Sequence, residues 1–223
     1  MQILAISDIH GNRTKLREIL AVAGRPDVIV LGGDLTHLGS PDEAAAAVAL
    51  CRDHAPVVLT VTGNCDDELI EKQMTRDGNS LTGAGRIVDG VGFFGVSAAA
   101  PYLGNTWEVS EAVLADWLEC GYRGVSAASR RVLVSHPPPF GYVDWAYTKK
   151  HGGSHAVRAA LDRCSPDLVI CGHIHEARGV ALYNQVTIVN CGAAWMGYYA
   201  WVNFGAQVQV ELRELPVGRF GER

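Results

Sequence analysis

Seven side chains with strong donor atoms stand at five places where an apolar run stops: Asp8 and His10, Asp34, Asn64, His136, and His173 with His175. They supply two carboxylates, one amide oxygen and four imidazoles. That set can hold two adjacent divalent ions sharing one carboxylate, and such a pair hydrolyses phosphate esters. Oxygen donors mixed with imidazoles suit manganese, iron, zinc or cobalt better than calcium or magnesium. Two divalent ions bring +4, Asp8 and Asp34 return −2 and a bridging hydroxide −1, which leaves about one positive charge for a phosphodiester anion. Asn64 fits this balance, because a third carboxylate would cancel the attraction.

The elements around these residues read as alternating strands and helices. Residues 2–7, 27–31 and 57–61 are short apolar runs without helical period, as buried strands are. Leu16, Ile19 and Leu20 give helical spacing over 13–23. Ser40-Pro41-Asp42-Glu43 is a helix start, with proline at the first position and acids in the first turn. This order predicts a parallel α/β sheet in the amino-terminal part. Further on, 86–96 reads as two strands about Asp89-Gly90, 110–120 as a helix, 131–134 as a strand, 154–163 as a helix and 167–171 as a strand. Residues 140–153 read as a long loop over the site. Residues 179–183, 185–190 and 200–212 read as antiparallel strands, and the tail from Arg213 as frayed. Each donor then follows the carboxyl end of a strand, where parallel sheets build their crevices. Glycines before Asp34, Asn64 and His173 are expected to permit tight backbone turns there.

At 223 residues the chain fits one domain, 1–223. A net charge of −5, with basic residues scattered, argues against long nucleic acid as partner and for a small phosphate-ester substrate. No apolar run spans a bilayer, no signal peptide is visible, and six cysteines without a C-x-x-C pair read as free thiols. The expected location is the cytoplasm, away from membranes.

The ordered series Asp8-Ile9-His10, Gly33-Asp34, Gly63-Asn64, His136 and Gly172-His173-Ile174-His175 resembles the calcineurin-like metallophosphoesterase superfamily, from Asp8 to about Asn190. Leu35-Thr36-His37, His136-Pro137-Pro138-Pro139, His151-Gly152-Gly153-Ser154 and Glu176 after His175 look closest to small prokaryotic phosphoesterases related to cyclic-nucleotide phosphodiesterases. The resemblance implies a four-layer α/β/β/α sandwich with two facing mixed sheets. It also implies one metal on Asp8, His10 and His175, a second on Asn64, His136 and His173, and Asp34 bridging them. Asp34, Asn64, Cys65, Asp66 and His136 are then expected to serve catalysis. Many members carry histidine after the asparagine, to assist the leaving group, where this chain has Cys65. Hydrolysis is therefore expected to be slow or to favour activated esters.

Simpler readings stand beside these. Asn12 reads as a helix cap or a substrate contact, and Asp66 as a histidine anchor or the cap of the helix after it. Cys65 reads as a supporting residue rather than a ligand, since both metal shells fill without it. His37 either joins the site or shapes its turn, and His151 and His155 either touch substrate or lie on the surface. Pro137-Pro138-Pro139 stiffens the exit from His136. Trp195, Tyr198, Tyr199 and Trp201 read as core, with a subunit contact in a homo-oligomer as the alternative. Substrate specificity is expected from loops 35–39, 97–107 and 137–155. A nuclease and a non-catalytic scaffold of the same fold are the competing functions.

Overall fold

The strands are apolar at consecutive positions because both their faces are covered. The computed structural model describes residues 1–101, 104 and 106–216. Strands β1 (Gln2–Ile6), β2 (Val28–Gly32) and β3 (Val57–Val61) pair in parallel. Ile3, Ala5, Val28, Val30, Leu59 and Val61 enter a core shared with a second sheet. Their neighbours Leu4, Ile6, Ile29, Leu31 and Val58 face the other way, onto helices. This is the two-residue period of a strand, apolar on both sides.

The second sheet holds β4 (Gly85–Val88), β5 (Val91–Val96), β6 (Arg130–Ser135), β7 (Leu168–Cys171), β8 (Gly179–Tyr183) and β9 (Val186–Asn190). Its order is β4-β5-β6-β7-β9-β8, with parallel pairing from β5 to β9 and antiparallel strands at both edges. The chain then returns to the first sheet as β10 (Tyr198–Phe204), antiparallel to β1, and β11 (Val208–Glu214). Helices α1 (Arg13–Ala23), α2 (Pro41–Arg52) and α3 (Glu68–Arg76) cover the first sheet. Helices α4 (Glu111–Gly124) and α5 (His155–Cys164) cover the second. The four-layer α/β/β/α sandwich expected from the resemblance is present.

The helix starts follow from local chemistry. The Asn12 side chain caps α1 by accepting from Lys15 N at 3.0 Å, and Ser40 with Glu43 closes a capping box on α2. Helix α3 corrects one expectation: its cap is Asp67, which accepts from Ile70 N at 2.8 Å, and not Asp66. Helix α4 runs past Cys120 to Gly124 because Gly121 and Gly124 let its backbone rest on Ala84 and Gly85. The expected fraying begins too early as well. Arg213 and Glu214, in β11, pair with Tyr199 and Tyr198 of β10, and Leu215 N donates to Gly197 O at 2.9 Å. The rest of the expected tail, 217–223, lies outside the described residues.

Candidate metal centre

Strands β1, β2, β3, β6 and β7 deliver all seven candidate donors to one edge of the sandwich, each just past a strand end. The turns that aim them are unusual. Asp8, His10, Asp34 and His173 have φ of 56°, 47°, 47° and 67°, a left-handed region that non-glycine residues seldom enter. Each such residue costs on the order of 1–3 kcal/mol, which the surroundings must offset. Hydrogen bonds between loops do so: Asp8 N donates to Gly33 O at 3.0 Å, His10 N to Asp34 O at 2.8 Å, and His173 N to the Asp8 carboxylate at 3.1 Å.

The glycines before the donors work differently from expectation. Only Gly33 has a left-handed φ, 103°. Gly63 and Gly172 are needed for space, because an added Cβ would lie 2.0 Å from Asp34 Oδ1 at the first and 2.2 Å from Asp8 Oδ2 at the second. Asp34 and His173 take the left-handed backbone themselves, and Gly63 and Gly172 clear room for the carboxylates beside them.

At the centre, ring nitrogens crowd against carboxylate and amide oxygens. Asp8, His10 and His175 converge, with Nε2 of the two imidazoles 3.4 Å apart and His175 Nε2 3.2 Å from Asp8 Oδ1. On the other side His136 Nδ1 donates to Gly32 O at 2.9 Å, which leaves a lone pair on Nε2, 2.9 Å from Asn64 Oδ1. The His173 ring lies edge-on to His136, centroids 5.0 Å apart. Asp34 stands between the halves: Oδ2 is 3.5 Å from His10 Nε2 and Oδ1 3.5 Å from His136 Nε2. Imidazole nitrogens and carboxylate oxygens this close together fit divalent cations among them.

Electrostatics prepares the same set. Burial lowers the His10 pKa to about 4 and, with His136 beside it, that of His173 to about 3, so both stay neutral. Burial alone would raise Asp8, but the His175 hydrogen bond brings it well below the usual range. Burial also opposes protonation of His175, yet the Asp8 carboxylate beside it raises its pKa. Asp34 is raised by burial and by Asp8.

The remaining candidates separate. Asp66 does not cap α3, and among the described residues no histidine ring hydrogen-bonds to it. Its buried carboxylate accepts from Leu35 N (3.0 Å), Thr36 N (2.9 Å), Thr36 Oγ1 (2.8 Å) and Gly63 N (2.8 Å), fastening the Asp34 loop to the Asn64 loop. Cys65 donates its backbone N–H to Asp34 Oδ1 at 2.8 Å, and its thiol is pushed up to about 12 by burial and by Asp34. That thiol clusters with His10 and exposed His37, whose Nδ1 is 3.2 Å from His10 Nδ1. His151 turns to Asp144 at 2.7 Å and His155 stacks on Phe140, so both brace the 140–153 loop. Tyr199 is core and Trp201 packs against it, but Trp195 is exposed, which corrects the reading of that stretch. Residues 102, 103 and 105 of the expected specificity loop 97–107 lie outside the described residues.

One anchoring residue escaped the sequence reading. Asn190 Nδ2 donates to Gly172 O (3.3 Å), Ile174 O (2.9 Å) and Val143 O (3.1 Å), holding the His173–His175 turn under the long loop. The signal was there: Asn190 closes an apolar run, much as the candidate donors do.

The calcineurin-like phosphoesterase family model matches residues 1–177. An uncharacterized protein of Methanocaldococcus jannaschii is 28% identical over 197 residues, covering 85% of this chain and 87% of its own. The solved structure of TT1561 from Thermus thermophilus superposes with a TM-score of 0.75 at 18% identity, over 96% of this chain and 98% of its own. A dimetal phosphatase from Danio rerio gives a TM-score of 0.64 at 12% identity, with 96% of each chain covered. No helix among the described residues is long and apolar enough to cross a membrane. By its matched residues and its architecture, the chain belongs to the calcineurin-like phosphoesterase family, metal-dependent hydrolases of phosphoesters that use divalent ions.

Proposed function

We propose that the chain is a dinuclear phosphodiesterase for small phosphate esters. Asp8, His10 and His175 hold one ion, Asn64, His136 and His173 the other, and Asp34 lies between them. The observation that carries this reading is the Asp34 carboxylate, which presents one oxygen to His10 and the other to His136, at 3.5 Å each. Two divalent ions held there would supply Lewis acidity, which makes water a nucleophile near neutral pH, and positive charge for the phosphate oxygens. The side chains set the rest. Neutral His10 and His173 keep lone pairs for binding, and Asp66 holds the Asp34 and Asn64 loops in register. With two carboxylates in the set, the residual charge suits a singly charged diester better than a monoester dianion. Manganese, iron, zinc or cobalt fits the donors. Six unpaired thiols fit a reducing compartment, the cytoplasm.

A phosphoester panel with added manganese tests this. The loaded chain should cleave bis(p-nitrophenyl) phosphate faster than p-nitrophenyl phosphate, and a protein that stays metal-free after loading, or that prefers the monoester, overturns the reading. Position 65 bears on the leaving group, because a thiol stands where an imidazole would protonate it. Cys65→His should speed diesters with alkoxide leaving groups by about 10²-fold while barely changing nitrophenyl esters. An equal effect on both would mean that proton donation is not what position 65 withholds.

A further inference from the structure

Exposed large apolar side chains scattered singly need no explanation, but three of them here meet at one cavity beside the metal centre. Trp195 is 43% exposed, Met196 49% and Tyr147 86%. They wall a cavity of about 620 Å³ that His175 also lines, a size usual for small-molecule sites. The Trp195 backbone is tied to the centre: it follows the end of β9, and its backbone N–H donates to the carbonyl of Asp8 at 3.2 Å. Its indole stands edge-on to the His175 imidazole, centroids 6.4 Å apart. The opposite wall is tied down as well, since Glu176 accepts a hydrogen bond from Tyr147 N and so pins the long loop over the cavity. At the back, Arg178 lies 4.5 Å over the Tyr198 ring and donates to Arg213 O at 3.0 Å. A larger cavity, about 920 Å³, is lined by Arg130 and Asp167 among others, but there those two charges already pair, at 2.5 Å.

The geometry points to a subsite for a planar aromatic substituent of the phosphoester, stacked on Trp195 while its phosphate occupies the metal centre. This rests on the phosphoesterase reading and adds the class of substrate: an ester carrying a nucleobase or an aryl ring. Flat rings suit this wall because every one has a π-face to offer the indole, whatever hydrogen bonds it makes. The aromatic wall is joined to the ligand His175, so ring and phosphate can be bound together by one molecule.

Calorimetric titration of the manganese-loaded protein with methyl phosphate, phenyl phosphate, adenosine 5′-monophosphate and inorganic phosphate tests the subsite without turnover of a diester. Phenyl phosphate, adenosine monophosphate or both should bind roughly tenfold tighter than methyl phosphate, and which of them gains more separates aryl from nucleobase. Trp195→Ala should remove most of that advantage and leave methyl phosphate and the metal content unchanged; Trp195→Phe should keep most of it. In diester kinetics the same loss should appear in KM and spare kcat. Equal affinities for methyl and aromatic phosphates, or an advantage that survives Trp195→Ala, overturn the subsite alone. A protein that takes up manganese and binds none of the four overturns the subsite and the phosphoesterase reading together.

Discussion

Two buried acidic clusters lie two residues apart along the chain, and they are built on opposite principles. Thr62 belongs to the first, where the carboxylate of Glu71 accepts from Thr62 Oγ1 (3.0 Å), Ser97 Oγ (2.7 Å), Thr75 Oγ1 (3.2 Å) and Ser80 Oγ. Every oxygen there meets hydroxyl donors, and the cluster is complete in itself. Asn64 belongs to the second, where imidazole nitrogens crowd against one another and against carboxylate and amide oxygens at 2.9–3.5 Å. Burial and charge are common to both. What sets the second cluster apart is a stock of metal-binding donor atoms within reach of one another, which a cation would join.

Substitutions can break that contrast. Asp34→Ala should lower manganese-dependent diesterase turnover by about 10³-fold and reduce bound metal per chain, read by kinetics and elemental analysis, while the folded structure persists. Unchanged stoichiometry would remove Asp34 from the centre. Glu71→Ala should do the reverse: destabilise the fold by about 2–3 kcal/mol in urea, because hydroxyls lose a buried acceptor, and leave metal content intact. Manganese at about 100 times its dissociation constant should raise wild-type stability by about 2.7 kcal/mol. The Glu71→Ala variant should show the same increment and Asp34→Ala little of it.

The smallest effect concerns acidity. Burial raises the Glu71 pKa above its usual 4.5, against the pull of its hydroxyl partners. The folded state therefore holds this proton more tightly than the unfolded one. The resulting stability is fully present below pH 4.5 and lost as pH rises through the folded value. Glu71→Gln lacks that titration, so wild type should lose stability relative to it across this window. A difference that stays flat or grows with pH would contradict the sign.

Much of this was legible in the residues. The donors mark strand ends because a parallel strand must leave the sheet where its apolar run stops, and Ser40 and Asn12 announce helices through purely local bonds. Other features depend on partners far along the chain. Asp66 and Asp67 are chemically alike and adjacent, and only the presence of Leu35 and Thr36 nearby decides that the first clamps loops while the second caps a helix. Trp195 and Tyr199 sit in one aromatic stretch, yet one lies in the open beside His175 and the other in the core. The cavity beside His175 is walled in part by the turns carrying Glu176 and Trp195, which are too short to show a pattern in the sequence.

The pairing of β1 with β10 sets a schedule for synthesis. Gln2 faces Asn203 and Ala5 faces Ala200, so one edge of β1 stays open until the chain has grown by some two hundred residues. At about 5–20 residues per second a ribosome needs on the order of 10–40 s for that stretch. Through that interval an apolar strand edge is available to other chains, so ribosome-associated chaperones should matter most to this protein before β10 emerges.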